Sequence, residues 1–276
     1  MPPDYQLVAF DMDGTLLDGS GDLQPGTRRA FEAMREAGTR IMLASGRPIP
    51  GLKLLASKLT LGQDLVLAGM NGSIVVDQAT NREIARHPIQ LDTVKILIET
   101  AEQHGVMVMI PHDDELVVED ASHFQVEREA AGNDLTIRVV DDLKNLDVEP
   151  SKVLFVGERE LTQPLFDELT LKQGDKVELA YSSPLYLEAT AAGIHKGSAI
   201  TDYCEAEGIP LYRVMTFGDN GNDIGMLRTA GLGVAMGNGI PEAKTAADVV
   251  TTSNNDEGIA RVLSKYFDFE FDFSQV

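Results

Sequence analysis

Phe10-Asp11-Met12-Asp13-Gly14-Thr15-Leu16 follows the apolar run at residues 7–10. An apolar run this short, ended by two acids around one residue and then a glycine, reads as a buried strand breaking into a turn. The same arrangement recurs twice. Residues 40–44 read as a strand leading into Ser45-Gly46-Arg47, and residues 213–217 as one leading into Gly218-Asp219-Asn220-Gly221-Asn222-Asp223. Helical periodicity fills the intervals. Residues 25–37 have Pro25 at the start, Ala30, Ala33, Met34 and Ala37 on one face, and Gly38 at the stop. Strands alternating with helices predict an α/β fold with a Rossmann-like parallel sheet. In such a sheet ligands collect beyond the carboxyl ends of the strands, where Asp11, Ser45 and Asp219 fall.

The middle of the chain reads differently. Strands are expected at 106–110, 116–118, 136–140, 152–156, 176–180 and 186–189, with helices at 91–104, 123–131 and 161–171. Two roughly similar β-α-β-β passages predict an inserted α+β cap over residues 82–186. Residues 1–81 and 187–276 then form one discontinuous core.

Composition narrows the function. The 276 residues are 43% hydrophobic and 24% charged, enough apolar material for a core and too much for a disordered chain. One cysteine rules out a disulfide framework and any Cys-based zinc cluster. The net charge of −21, with no basic run, disfavours nucleic acid and anionic lipid. The longest apolar runs, such as 106–111, are too short to span a bilayer, and Met1-Pro2-Pro3-Asp4-Tyr5 lacks the basic and apolar regions of a signal peptide. A cytoplasmic protein is expected, monomeric or homodimeric. An anionic substrate would need a metal ion or a few placed cations.

Each motif alone has an ordinary reading. Asp-x-Asp can be an Asx turn, Ser45-Gly46-Arg47 a helix N-cap, and Lys196 a solvated lysine at a helix start. His195 reads as surface or packing, since no second His or Cys is near it in sequence. EF-hand spacing fails at both acidic loops. The first has Leu16 and Asp22 where Gly and Glu are needed, and the second has Ala230 at its twelfth position. Together, three strand ends carrying Asp11, Ser45 and Asp219, plus a helix start carrying Lys196, form a set. Its hard oxygen donors suit Mg²⁺ rather than zinc. Neither a Walker loop nor a dinucleotide fingerprint is present.

The ordered motifs resemble the haloacid dehalogenase superfamily, and within it the Cof-type, sugar-phosphatase-like phosphatases with a large C2B-type α/β cap. They are DMDGTLL at 11–17, SGR at 45–47, Asn71-Gly72, HKG at 195–197, GDNGND at 218–223, VAMGN at 234–238 and TxSNxxxG at 251–258. The resemblance covers nearly the whole chain. It implies that Asp11 is a nucleophile forming an aspartyl-phosphate and that Asp13 is general acid and then base. Ser45 and Lys196 would bind the phosphoryl group, and Asp11, the Asp13 backbone carbonyl and Asp219 would bind Mg²⁺. Gly46, Arg47, Asn71, Gly72, Asn222 and Asp223 would contact phosphate or substrate, or support the loops. A Mg²⁺-dependent phosphatase acting on a small phosphorylated metabolite is expected, with sugar phosphates foremost. A phosphomutase and a catalytically silent phosphometabolite sensor are the alternatives. Two departures stand out: Ala192 replaces the usual Pro, and Asn238-Gly239 replaces Asn-Ala. His195 could alter leaving-group contacts. Cys204, at helical spacing with Ala199, Ile200 and Tyr203, is expected in the core. The alternating tail at 266–273 is expected as a docked edge strand, on its own sheet or across a subunit contact, with its Phe side chains on one side and its acids facing solvent.

Overall fold

A computed structural model describes residues 5–275. Most of the N-terminal stretch considered for a leader therefore lies outside the described residues. The chain runs β1 (Leu7–Asp11), α1 (Pro25–Glu36), β2 (Arg40–Ala44), α2 (Ile49–Lys58), β3 (Leu65–Gly69), β4 (Ile74–Asp77), β5 (Arg82–Arg86), α3 (Leu91–Gln103), β6 (Met107–His112) and β7 (Glu115–Val118). It continues with α4 (Phe124–Asn133), β8 (Thr136–Val139), β9 (Val153–Val156), α5 (Arg159–Gln173), β10 (Val177–Ser183), β11 (Tyr186–Ala191) and α6 (Lys196–Glu207). It ends with β12 (Val214–Gly218), α7 (Ile224–Thr229), β13 (Leu232–Ala235), α8 (Pro241–Ala246), β14 (Val249–Val250) and α9 (Gly258–Leu263).

Two sheets organise these elements. The first has the order β14-β13-β12-β1-β2-β3-β4-β5, parallel from β14 to β3 and antiparallel at β4 and β5. Strand β1 is buried along its whole length because both faces are covered. Val8 and Phe10 pack with Phe31, Met34 and Ile259 from α1 and α9. Leu7 and Ala9 pack with Ala199, Ile200, Tyr203 and Met226 from α6 and α7. Cys204 sits in that second cluster at 3% exposure, and burial pushes its thiol up to about 11. It is a packing residue.

The second sheet has the order β10-β11-β9-β6-β7-β8. Helices α3 and α5 cover one face through Val94, Leu97, Leu165 and Leu169. Helix α4 covers the other through Val126 and Ala130. Helix α4 also meets α2 of the first unit. The approach is tight at Gly51, where a Cβ would lie 2.5 Å from the Asn133 Oδ1.

The sheets divide at other residues than the pattern suggested. Arg82–Arg86 pairs with β4 in the first sheet, and Tyr186–Ala191 pairs with β9 in the second. Arg82 to Arg86 is half exposed and charged, as edge strands often are, so it gave no apolar signal. Among the described residues no helix is long and apolar enough to cross a membrane.

The tail corrects one expectation. Residues 268–272 form no strand. The alternation is real, however: Phe267 is buried, Phe269, Phe271 and Phe273 are half buried, and Asp268, Glu270 and Asp272 are exposed. Phe267 and Phe269 join the core cluster, and the Arg261 guanidinium lies 5.0 Å from the Phe273 ring centre. A period of two reports one buried face and does not require a ladder partner. Truncation after Tyr266 should lower the melting temperature by several degrees. Phe267 alone carries burial worth about 1.5–3 kcal/mol. Melting at the full-chain temperature would show that the Phe face contributes nothing.

Candidate active site

Register brings the motifs to one sheet edge. Asp11 pairs with Ala44, so Ser45 follows directly beside it, and Phe10 pairs with Phe217, which sets Asp219 just beyond the neighbouring strand. Asp11 is 7% exposed and Lys196, opening α6, is fully buried. The Lys196 ammonium donates to Asp11 Oδ1 and, at 2.6 Å, to Asp223 Oδ1. The second Asp223 oxygen accepts the backbone N–H groups of Asp219 (2.8 Å) and Asn220 (2.9 Å). Asp223 is thereby committed to Lys196 and to its own loop. Burial would depress the Lys196 ammonium, but Asp11 and Asp223 hold it above the ordinary lysine value.

Asp11, Asp219 and Asp223 each bring a carboxylate oxygen within 4.8 Å of the others. Burial raises the Asp11 carboxyl against the pull of Lys196, with Asp223 and Asp219 adding to the rise. Burial raises Asp219 too. Two buried acids and a half-buried one, Asp219, against one lysine leave negative charge that a cation would neutralise. With Asp223 committed, Asp11 and Asp219 are the acids left to face an ion. All their donors are hard oxygens, which fits Mg²⁺. Gly14 makes room for this arrangement. It sits at φ +88°, and a Cβ there would lie 2.6 Å from the Asp219 Oδ2. Only glycine takes both the turn and the close approach without strain.

Asp13 lies apart, on the open side. Its side chain is 64% exposed and pairs with Arg47 Nη2 at 3.3 Å. Ser45 is buried, and its Oγ accepts the Arg47 backbone N–H at 3.3 Å. Asn71 ties the SGR turn to the acidic loop: its N–H donates to the Ser45 carbonyl (2.9 Å) and its Oδ1 accepts from Asn222 Nδ2 (3.3 Å). Gly72, at φ +97°, lets that turn approach α6, since a Cβ would lie 2.4 Å from the His195 carbonyl. Gly46 faces Asn71 Oδ1.

His195 is exposed and caps its own helix. Its Nδ1 accepts the N–H groups of Gly197 (3.0 Å) and Ser198 (3.2 Å), which caps α6. The ring orients the helix that carries Lys196.

Three supporting residues stand in motifs quoted above, although the sequence assigned them no role. Thr15 Oγ1 donates to Asp219 Oδ1 at 2.7 Å. Asn238 Nδ2 donates to the Gly14 carbonyl and Asn254 Nδ2 to the Leu17 carbonyl, both at 2.7 Å. Through these contacts the VAMGN and TxSNxxxG segments clamp the turn after Asp11 from outside. The second unit adds Lys152, just before β9, and Glu188 on β11, a 2.7 Å ion pair almost wholly buried against the SGR turn. Neither stood in a motif.

The profile of the haloacid dehalogenase-like hydrolases matches residues 8–263. YxeH of Bacillus subtilis, whose name proposes a phosphatase without stating a substrate, is 31% identical over 94% of this chain and 97% of its own length. The 5-amino-6-(5-phospho-D-ribitylamino)uracil phosphatase YitU of the same organism is 28% identical over 95% and 97%. A haloacid dehalogenase-like hydrolase from Bacteroides thetaiotaomicron superposes with a TM-score of 0.85, at 29% identity over 95% of this chain and all of that one. The subclass IIB sugar phosphatase BT4131 superposes at 0.77, with 26% identity over 95% and 98%. The chain thus belongs to the haloacid dehalogenase-like hydrolases and is one of their phosphatases.

Proposed function

We propose that the protein is a Mg²⁺-dependent phosphatase for small phosphorylated metabolites, sugar phosphates foremost, working through an aspartyl-phosphate on Asp11. The observation that carries the reading is the buried Lys196 between Asp11 and Asp223, beside Asp219. Asp11 attacks phosphorus and the bond to the ester oxygen breaks. Asp13 gives its proton to the departing alkoxide. Water then attacks the phosphorus of the aspartyl-phosphate while Asp13 takes its proton, which releases phosphate and restores both acids. The exposed Arg47–Asp13 pair is worth about 1 kcal/mol or less, so Asp13 is readily released to reach the leaving group. Lys196 and Ser45 hold the phosphoryl oxygens, and Asp223 fixes Lys196. A Mg²⁺ ion held by Asp11, Asp219 and the Asp13 carbonyl would supply positive charge between carboxylate and phosphate dianion.

The sugar-phosphate reading is supported by two relatives' names, one a 5-amino-6-(5-phospho-D-ribitylamino)uracil phosphatase and one a sugar phosphatase. The second unit, read as a cap, chooses the substrate, because the core motifs engage only the phosphoryl group and the metal.

A panel of sugar, polyol and cofactor phosphate esters tests this. Free phosphate should appear with Mg²⁺, stop with EDTA and return when Mg²⁺ is restored. Isomerised sugar phosphate without free phosphate would establish a mutase instead. No turnover on any ester would favour the sensor.

A further inference from the structure

We propose that Lys152 and Glu188, both carried by the second unit, are positioning residues that hold the Gly46–Arg47 peptide in the orientation the phosphoryl site needs. The proposal rests on the phosphatase reading above for its kinetic consequence.

Lys152 lies just before β9, and Glu188 lies on the neighbouring strand β11. Their side chains are 4% and 8% exposed and pair at 2.7 Å. Both reach out of their own sheet into the first unit. Lys152 Nζ donates to the Gly46 carbonyl at 2.6 Å, and Glu188 Oε2 accepts from Asn71 Nδ2 at 3.1 Å.

The Gly46 contact matters because the peptide bond is planar. Fixing the Gly46 carbonyl fixes the Arg47 N–H on the opposite side of the same plane. That N–H donates to Ser45 Oγ. One lysine from the second unit thereby sets an amide and, through it, a hydroxyl of the SGR turn. Glu188 does the corresponding work on Asn71, whose N–H holds the Ser45 carbonyl. The turn is held at two points, Gly46 and Asn71, only while the two units are together. Separating them would remove both grips at once.

Stability alone gives a weak reason for such a pair. Desolvating two charges offsets most of their attraction, and apolar residues of similar shape often serve as well or better. Here the two charges satisfy polar groups of the other unit, which apolar side chains could not do.

The test is the full-length double variant Lys152→Met/Glu188→Gln, which removes both charges together and strands neither. Three quantities are compared with wild type: kcat and KM on p-nitrophenyl phosphate with Mg²⁺, the melting temperature, and backbone amide exchange. The proposal expects kcat to fall about tenfold with KM changed less than about threefold. It expects exchange to rise at residues 46–47 and to stay unchanged in β1. Lys152→Arg, which can still donate to the Gly46 carbonyl, should recover part of kcat. Wild-type kcat and wild-type exchange at 46–47 in the double variant would overturn the proposal. So would a kcat loss that merely follows a lowered melting temperature, with exchange rising throughout the core. If the wild type hydrolyses no ester, the phosphatase reading fails on that result alone, and the exchange at 46–47 still decides the proposal.

Discussion

Asp11→Asn is expected to lower turnover by at least about 10³-fold while leaving the fold intact. The amide keeps the shape of the carboxylate and can still accept a hydrogen bond from Lys196. It cannot attack phosphorus at a useful rate. The fold should survive because the change removes charge from a place where charge is costly. Asp11 is buried, and burial raises its carboxyl above the ordinary aspartate value. Lys196 keeps Asp223 at 2.6 Å, so no unpaired cation is left behind. The melting temperature of the metal-free variant should equal or exceed that of the wild type. Circular dichroism with heating and a phosphate-release assay check both halves. Turnover within tenfold of wild type would remove Asp11 from the nucleophile's role.

The second large effect concerns stability as well as rate. Lys196→Met puts a thioether of similar length between Asp11 and Asp223, both buried. Removing one partner of a buried ion pair costs about 3–5 kcal/mol, because the remaining charges are stranded. For a chain of this size that corresponds to a fall in melting temperature of roughly 10 °C. Loss of a cation aimed at the transferring group should also lower kcat by about 10²-fold or more. Adding Asp223→Asn to Lys196→Met should restore part of the stability and none of the rate. Its neutral amide no longer needs the lysine, while the phosphoryl group still does. A single variant that melts like wild type would mean that the Lys196 contacts contribute little to folding.

The strand ends were legible because chemistry there follows directly on apolar runs. Val8 and Phe10 are buried by pattern, and the acids after them fall at the sheet edge where a ligand binds. Asp11, Ser45 and Asp219 therefore fall on one edge by pattern alone. Helix α1 was legible through Pro25 at its start, together with its apolar spacing. Strand β5 was not, because Arg82 to Arg86 carries the charges of an edge. Lys152 and Glu188 look in sequence like polar members of ordinary strands. Their partners, Gly46 and Asn71, are more than 100 residues away, and only the approach of the two units reveals the contact. His195 was open to a substrate role for a similar reason: a ring that caps its own helix cannot be told from one facing a ligand until the Gly197 and Ser198 amides are seen beneath it. The tail shows the limit of periodicity, which recovered the buried Phe face but predicted a ladder that does not form.

Whether Asp11 carries the phosphoryl group between substrate and water is read most directly by an acid quench within the first turnover. The measurement uses a phosphate ester that the wild type hydrolyses, ³²P-labelled at the phosphoryl group, with Mg²⁺ present, followed by peptide mapping. The aspartyl-phosphate route predicts hydroxylamine-labile label on the peptide containing Asp11, formed before free phosphate and absent from Asp11→Asn. Label on another residue, or rapid phosphate release from a wild type that never becomes labelled, would contradict it.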